Sequence, residues 1–265
     1  MIITVGFSKG GTTKTTLSMM LALYFVEQGK KVLLIDVDGQ EDLSRLCGAR
    51  SGSGSEVLFG QPVSHDDLNI LPVEGWKCRG ETTGNLFFIP ASHDKLADIN
   101  AQKDPRVPVA GFFKNVKALK EHYDIIICDT PPSLGVTQMA AMAVSEGLVM
   151  TLKPDFNGCG EDKVKQYFKT WQTVKKHFNP NLRMPAVLLS AVDIKGNQAK
   201  EYVDWARKSF GKAMTSKYIE HSTSPVNAIS ERRAIWFKAS SGNDRAKGAA
   251  FRRVIDELVG ILKVK

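Results

Sequence analysis

Residues 2–16 read Ile2-Ile3-Thr4-Val5-Gly6-Phe7-Ser8-Lys9-Gly10-Gly11-Thr12-Thr13-Lys14-Thr15-Thr16, and an apolar helical run follows through Leu17, Met20, Leu21, Tyr24 and Phe25. A short apolar strand, a glycine-containing loop, a Lys-Thr pair and a helix are the parts of a phosphate cradle, in the order a cradle needs them. Glycines let backbone N–H groups turn inward onto phosphate oxygens. The helix N-terminus adds partial positive charge. In such a loop Lys14 reaches the terminal phosphates and the Thr15 hydroxyl ligates Mg²⁺. The loop fails the pattern G-x-x-x-x-G-K-[ST], because Ser8 and Thr13 stand at its two glycine positions. It fits K-G-G-x-x-K-[ST]-[ST], beginning at Lys9. The bland alternative is a Gly-rich turn with incidental lysines.

Two acidic strand ends weigh against that alternative. Residues 32–40 read Val-Leu-Leu-Ile-Asp36-Val-Asp38-Gly39-Gln40. On a strand, carboxylates at i and i+2 point to the same side. Residues 123–133 read Tyr-Asp124-Ile-Ile-Ile-Cys-Asp129-Thr130-Pro131-Pro132-Ser133, an apolar strand that opens at Asp124 and ends on Asp129. Two such ends together with a Lys-Thr loop are hard to assign to chance.

These segments resemble the ParA/MinD family of deviant Walker A ATPases, and most closely its ParA-type partition and positioning members. The resemblance is strong over 1–40 and 120–155 and weak over 41–119. It implies ATP and Mg²⁺ as cofactors. It implies a nucleotide site made of Lys9, Gly10, Gly11, Thr12, Thr13, Lys14, Thr15 and Thr16, and a metal shell of Thr15, Asp36 and Asp129. Lys9, Lys14 and Asp38 are the implied catalytic residues. Lys9 would reach the partner's phosphates across an ATP-sandwiched homodimer, and Asp38 would orient the attacking water. Two positions depart from the family: Thr13 stands for its usual glycine and Gly39 for its proline. A β-branched residue tolerates positive φ poorly, so Thr13 bears on the cradle's geometry. Phosphoryl transfer to water needs charge neutralisation and positioning above all. A site completed by a partner's lysine makes hydrolysis conditional on dimerisation, which suits a slow switch.

Apolar strand-like runs at 2–6, 32–37, 86–90, 124–129, 147–152 and 186–192 alternate with helical stretches near 14–28, 107–122, 160–177, 198–210 and 245–263. Continuous apolar strands belong to a parallel sheet covered on both faces. The expected fold is therefore α/β: a doubly wound, mostly parallel sheet with helices on both faces, in one domain spanning 1–265. Residues 51–55, Ser-Gly-Ser-Gly-Ser, have loop composition, and 72–85 look irregular.

The net charge of +8 is uneven: residues 1–150 carry −3 and 151–265 carry +11. Such asymmetry suggests a polyanionic partner. Residues 232–253 hold Arg232, Arg233, Lys238, Arg245, Lys247, Arg252 and Arg253 against Asp244. By resemblance, Arg232, Arg233, Lys238, Arg245 and Lys247 are candidate contacts to non-specific duplex DNA, which needs charge and reach but no base reading. They could instead solubilise a helix that packs by Phe251, Val254, Leu258 and Leu262. A basic amphipathic helix at 251–265 raises a MinD-like, membrane-associated alternative. A third reading is a small-molecule enzyme on the same scaffold. The other expected partner is a cargo-linked protein that stimulates hydrolysis, the cargo being a plasmid, a chromosome region or a protein body. No apolar run approaches the ~20 residues needed to span a bilayer, and Met1 leads directly into a strand. The four cysteines Cys47, Cys78, Cys128 and Cys159 show no zinc spacing and read as reduced thiols, with Cys128 buried in its strand. The expected location is cytoplasmic and nucleoid-associated.

Overall fold

In a computed structural model of the chain, all five residues of β1 (Ile2–Gly6) are buried. Neighbouring strand residues face opposite sides, so this strand is covered on both faces. The same holds for β2 (Val32–Asp36), β5 (Ile125–Asp129), β6 (Gly147–Leu152) and β7 (Ala186–Leu189). With β3 (Leu71–Pro72) and β4 (Leu86–Ile89) they form one seven-stranded sheet of order β3-β4-β2-β5-β1-β6-β7. All pairings are parallel except that of β3 with β4. The structure describes residues 1–7, 13–49, 54–80, 83–193, 195–239 and 241–264. Lys9, Gly10, Gly11 and Thr12 of the expected cradle, and part of the Ser-Gly run at 51–55, lie outside the described residues.

The helices in chain order are α1 (Lys14–Val26), α2 (Asp42–Cys47), α3 (His93–Asn100), α4 (Arg106–Ala118), α5 (Val136–Val144), α6 (Phe156–Cys159), α7 (Glu161–His177), α8 (Asn197–Phe210), α9 (Ser224–Ser230) and α10 (Gly242–Leu262). One apolar layer joins Ile2, Leu33 and Ile126 to Leu96 of α3, Phe112 of α4, Ala140 of α5, Tyr167 of α7 and Tyr202 of α8. The other joins Ile3, Leu34 and Ile127 to Leu21 of α1, Leu43 of α2 and Phe251 of α10. The sheet is thus doubly wound, as expected.

α1 is buried nearly all round, from Leu17 to Val26, as befits a helix that is apolar on every side. Each fully buried Leu or Met there contributes roughly 1.5–3 kcal/mol, and Leu21→Ala costs about 2–5 kcal/mol. α10 lays Phe251, Val254, Ile255, Leu258 and Leu262 into the core. Ser241 caps this helix by accepting from the Asp244 amide at 3.1 Å. The apolar face that the membrane alternative requires is already used for packing. Among the described residues no helix is long and apolar enough to cross a membrane.

The strands and long helices read from periodicity are present, with ends moved by a few residues. β3, at the start of the stretch read as irregular, is two residues long and contains Pro72, which suits a sheet edge. The short helices α2, α3, α5, α6 and α9 lie outside the stretches read as helical. They have nine residues or fewer, too short for helical periodicity to stand out. Cys128 is buried, as read, and burial pushes its thiol up to about 12.

Candidate nucleotide site

Strand register brings three carboxyl ends together. Val5 of β1 and Asp36 of β2 are both backbone partners of Asp129 in β5. The chain runs first to one side of β1, through β2 and β4, and later to the other, through β6 and β7. That reversal is where doubly wound sheets place ligands. β1 leaves no spare room at its exit. A Cβ on Gly6 would lie 2.8 Å from Thr130 Oγ1, and that hydroxyl donates to the Val5 carbonyl at 2.9 Å.

α1 returns the chain to the same spot. The Thr15 hydroxyl donates to Asp129 Oδ2 at 2.7 Å and the Ser18 hydroxyl to Oδ1 at 2.9 Å. Residues three apart share a helix face, so the spacing of Ser18 from Thr15 was the signal that could have revealed it. Thr16 is partly exposed. Thr13 is the N-cap of α1, with φ 60 and ψ 22 and no side-chain capping bond. The position that departs from the family's glycine does occupy the left-handed region that glycine favours.

Asp36 is fully buried and accepts from the Ser44 amide at 2.9 Å, the Ser44 hydroxyl at 2.7 Å and the Asp38 amide at 3.1 Å. Ser44, on α2, was invisible in the sequence because nothing local marks it. Asp38 follows the strand end and is 7% exposed. Its Oδ1 accepts from the Gln40 amide at 2.9 Å, a local Asx turn.

The electrostatics follow from burial. Desolvation pushes Asp36 up to about 8, the Asp129 charge adds to the rise, and the Ser44 bonds oppose it. Desolvation pushes Asp129 up to about 6 against the Thr15 and Ser18 bonds. Asp38 is pushed up by burial, with the Gln40 bond opposing. Lys14 is buried and shifted down by desolvation, while Asp129 and Asp38 hold it up. Three buried carboxylates around one buried lysine leave the described part of the site short of positive charge. Such a place favours a cation. Among the described residues no group of three or more His, Cys, Asp and Glu could hold a metal ion. Mg²⁺ does not need one, since it keeps several waters and uses one or two carboxylates with phosphate oxygens.

The basic segment is divided. Arg232, Lys238 and Arg245 are exposed. Arg232 and Lys238 have positive φ, 47 and 43. Lys247 is half-buried and ion-paired with Glu220. Arg252 is paired with Glu27 and lies over the rings of Tyr24 and Trp236. Arg233 is 4% exposed. Its guanidinium donates to the carbonyls of Ala234, Ile235 and Phe237 and to Glu231. Buried and bonded through Nε and Nη1 within its own loop, Arg233 is not presented to a phosphate and is left out of the DNA contacts proposed below.

A doubly wound parallel sheet with a Lys-Thr helix start beside two acidic strand ends defines the class: this is a P-loop ATPase. A family model described as an AAA domain matches residues 1–184. The chain belongs to the ParA/Soj family of partition ATPases. It is 28% identical over 261 residues to the chromosome-partitioning ATPase Soj of Thermus thermophilus, covering 97% of this chain and 94% of that one. It is 29% identical over 210 residues to the sporulation initiation inhibitor protein Soj of Bacillus subtilis, 79% of each chain. The fold is shared with McdA of Cyanothece in complex with ATP, at TM-score 0.75 and 16% identity over 100% of this chain and 96% of that one. It is shared also with cobyrinic acid a,c-diamide synthase of Mycobacterium smegmatis with bound ATP analog and magnesium, at TM-score 0.66 and 21% identity, covering 87% and 91%.

Proposed function

We propose that this partition ATPase is an ATP-switched homodimer that binds non-specific duplex DNA and positions or segregates a cargo, with slow hydrolysis stimulated by a cargo-linked partner. The observation that carries the reading is the register that sets Asp36 and Val5 against Asp129, with Thr15 bonded to that same carboxylate. Residues 1–265 are read as one ATPase domain, supported by the single sheet that runs from β1 to β7.

ATP is held by Lys14, Thr15 and Thr16 at the start of α1, with Lys9, Gly10, Gly11, Thr12 and Thr13 before them. Lys14 offsets phosphate charge from a buried position. The donor set of Thr15, Asp129 and Asp36 is all hard oxygen, which fits Mg²⁺. When bound, that ion supplies charge neutralisation at the phosphates. Ser18 keeps Asp129 oriented whichever way Thr15 turns. Asp38, buried just past the end of β2, orients the attacking water. Lys9 of a second copy completes the site, and ATP-dependent dimerisation follows from that need.

Arg232, Lys238 and Arg245 are the proposed DNA contacts, with Lys247 joining them if its bond to Glu220 opens. Contacts of this kind read the backbone and weaken steeply with salt. The relatives named for chromosome partitioning support a location on the nucleoid. The decisive experiment measures retention on arbitrary duplex DNA with ATP, ADP and no nucleotide. Salt-sensitive retention with ATP alone is expected. Equal retention in all three states rules out the switch.

A further inference from the structure

α3 bonds to the segments that follow the two acidic strand ends, the turn after Asp36 and the helix after Asp129. At its start, the His93 amide donates to Glu41 Oε1 at 2.9 Å and the His93 ring Nδ1 bonds to the Gly39 carbonyl. A carbonyl only accepts, so Nδ1 carries the proton in this arrangement. At its other end, Asn100 Oδ1 accepts from the Thr137 amide at 3.1 Å and the Thr137 hydroxyl at 3.2 Å. Asn100 Nδ2 donates back to the Leu96 carbonyl at 3.1 Å, which fixes the amide's orientation. Gly135 permits this approach, since a Cβ there would lie 2.3 Å from Asn100 Oδ1. Thr137 opens α5, the helix that follows the Asp129 strand end.

The turn held by His93 is the one that carries Asp38. The Glu41 amide donates to the Asp38 carbonyl at 2.9 Å, closing residues 38–41 into a turn. The Gln40 amide, inside that turn, donates to Asp38 Oδ1. Glu41 sits at φ 58 and ψ 25, a conformation that L residues with side chains avoid. Such a conformation persists only where its surroundings hold it. His93 supplies two of those holds, one on each side of Gln40. The segment before it does the same for the other carboxylate. The Ala91 amide donates to Ser44 Oγ at 2.9 Å, and Ser44 donates to Asp36.

We propose that His93 is a positioning residue for Asp38, and that α3 is the strut that sets the Asp38 turn in place relative to the Asp129 strand end. The inference rests on the reading of Asp38 as the water-orienting group. His93 is exposed, so it can be changed without opening the core.

The test compares His93→Ala, His93→Asn and Asp38→Ala in steady-state ATP hydrolysis with Mg²⁺ and duplex DNA. In the Asn variant, Nδ2 can take the place of the ring Nδ1–H. His93→Ala is expected to lower kcat about ten-fold with KM for ATP within about two-fold, because a small misplacement of a positioned group costs rate before it costs binding. The thermal midpoint should stay within about 2 °C, as for a surface substitution. His93→Asn should recover most of kcat. Amide exchange at Gln40, read without turnover, should quicken about ten-fold in His93→Ala and return towards wild type in His93→Asn. The proposal is overturned if Asp38→Ala is inactive while His93→Ala keeps its kcat and Gln40 protection. It is also overturned if Ala and Asn are equally impaired, or if KM rises together with a lowered midpoint. An active Asp38→Ala would instead defeat the underlying catalytic reading, and the role assigned to His93 would fall with it.

Discussion

Lys14, Asp36, Asp38 and Asp129 are all buried, whereas Arg232, Lys238 and Arg245 of the C-terminal half stand in solvent. The first group is costly to fold and must be held: Ser44, Ser18 and Thr15 spend their hydrogen bonds on it. The second group costs little, because exposed charges are already solvated. Between them lie Arg233, Lys247 and Arg252, basic residues of the C-terminal half that turn to carbonyls or acids of their own chain. Buried charges report a site by their geometry, while exposed ones report only a capacity.

Removing one member of each group probes this contrast most strongly. Lys14→Ala should lower ATP hydrolysis about 100- to 1000-fold, the scale for deleting a preorganised charge from a site. Arg245→Ala should leave unstimulated hydrolysis unchanged and weaken DNA retention, lowering the salt slope by about one. Parallel rate measurements and DNA titrations over a salt series check both. An Arg245 variant that loses hydrolysis to the same degree breaks the division between the two regions.

Neighbouring arginines sharpen it next. Arg233→Ala should destabilise the fold by roughly 1–3 kcal/mol, because it strips buried carbonyls of their donor. Arg232→Ala should change stability by less than about 0.5 kcal/mol, as surface changes do, while reducing DNA retention. Urea unfolding of each variant separates the two. Equal stability losses would mean that Arg233 is not anchored as the structure has it.

Much of the site was legible because its parts are local. Lys14 and Thr15 follow a strand and open a helix, and Asp36 and Asp129 end apolar runs, so their alignment needs only a parallel sheet. Ser44 and His93 were not legible. They act from α2 and α3, short helices in the stretch where the family resemblance is weak, and they reach Asp36 and Gly39 through tertiary contacts alone. The burial of Arg233 within the basic patch was not legible for a related reason. Its partners are the carbonyls of the next turns of chain, and composition does not show which way a side chain folds back.

Protons offer a further probe of the buried group. Asp129 is raised from 3.8 to about 6 and Asp36 from 3.8 to about 8. The folded, nucleotide-free protein therefore keeps protons that the unfolded chain sheds. Stability from this source is fully present below about 3.8 and is lost as pH rises through about 6 and then about 8. For Asp129 alone the loss is on the order of 3 kcal/mol. Thermal unfolding without nucleotide should show a midpoint falling from pH 5 to 8. Asp129→Asn should flatten the part of that slope near pH 6. A slope unchanged by that substitution would place the titration elsewhere.

The smallest expected effect tests whether the buried site carries backbone strain as well as buried charge. Thr13 is β-branched and left-handed at φ 60. That conformation costs a residue with a Cβ roughly 1–2 kcal/mol. Glycine removes the cost but loses about 0.5–1 kcal/mol in the extra freedom of its unfolded chain. Thr13→Gly should therefore stabilise the nucleotide-free protein by about 0.5–1 kcal/mol, a rise of ~1–4 °C in the thermal midpoint for a chain of this size. A gain in stability with unchanged ATP affinity makes the strain incidental. A gain accompanied by weaker ATP binding means that the strained turn holds the cradle in its binding shape, because strain kept at a site is usually used there. A midpoint that falls would mean that the Thr13 side chain supplies more than its backbone costs.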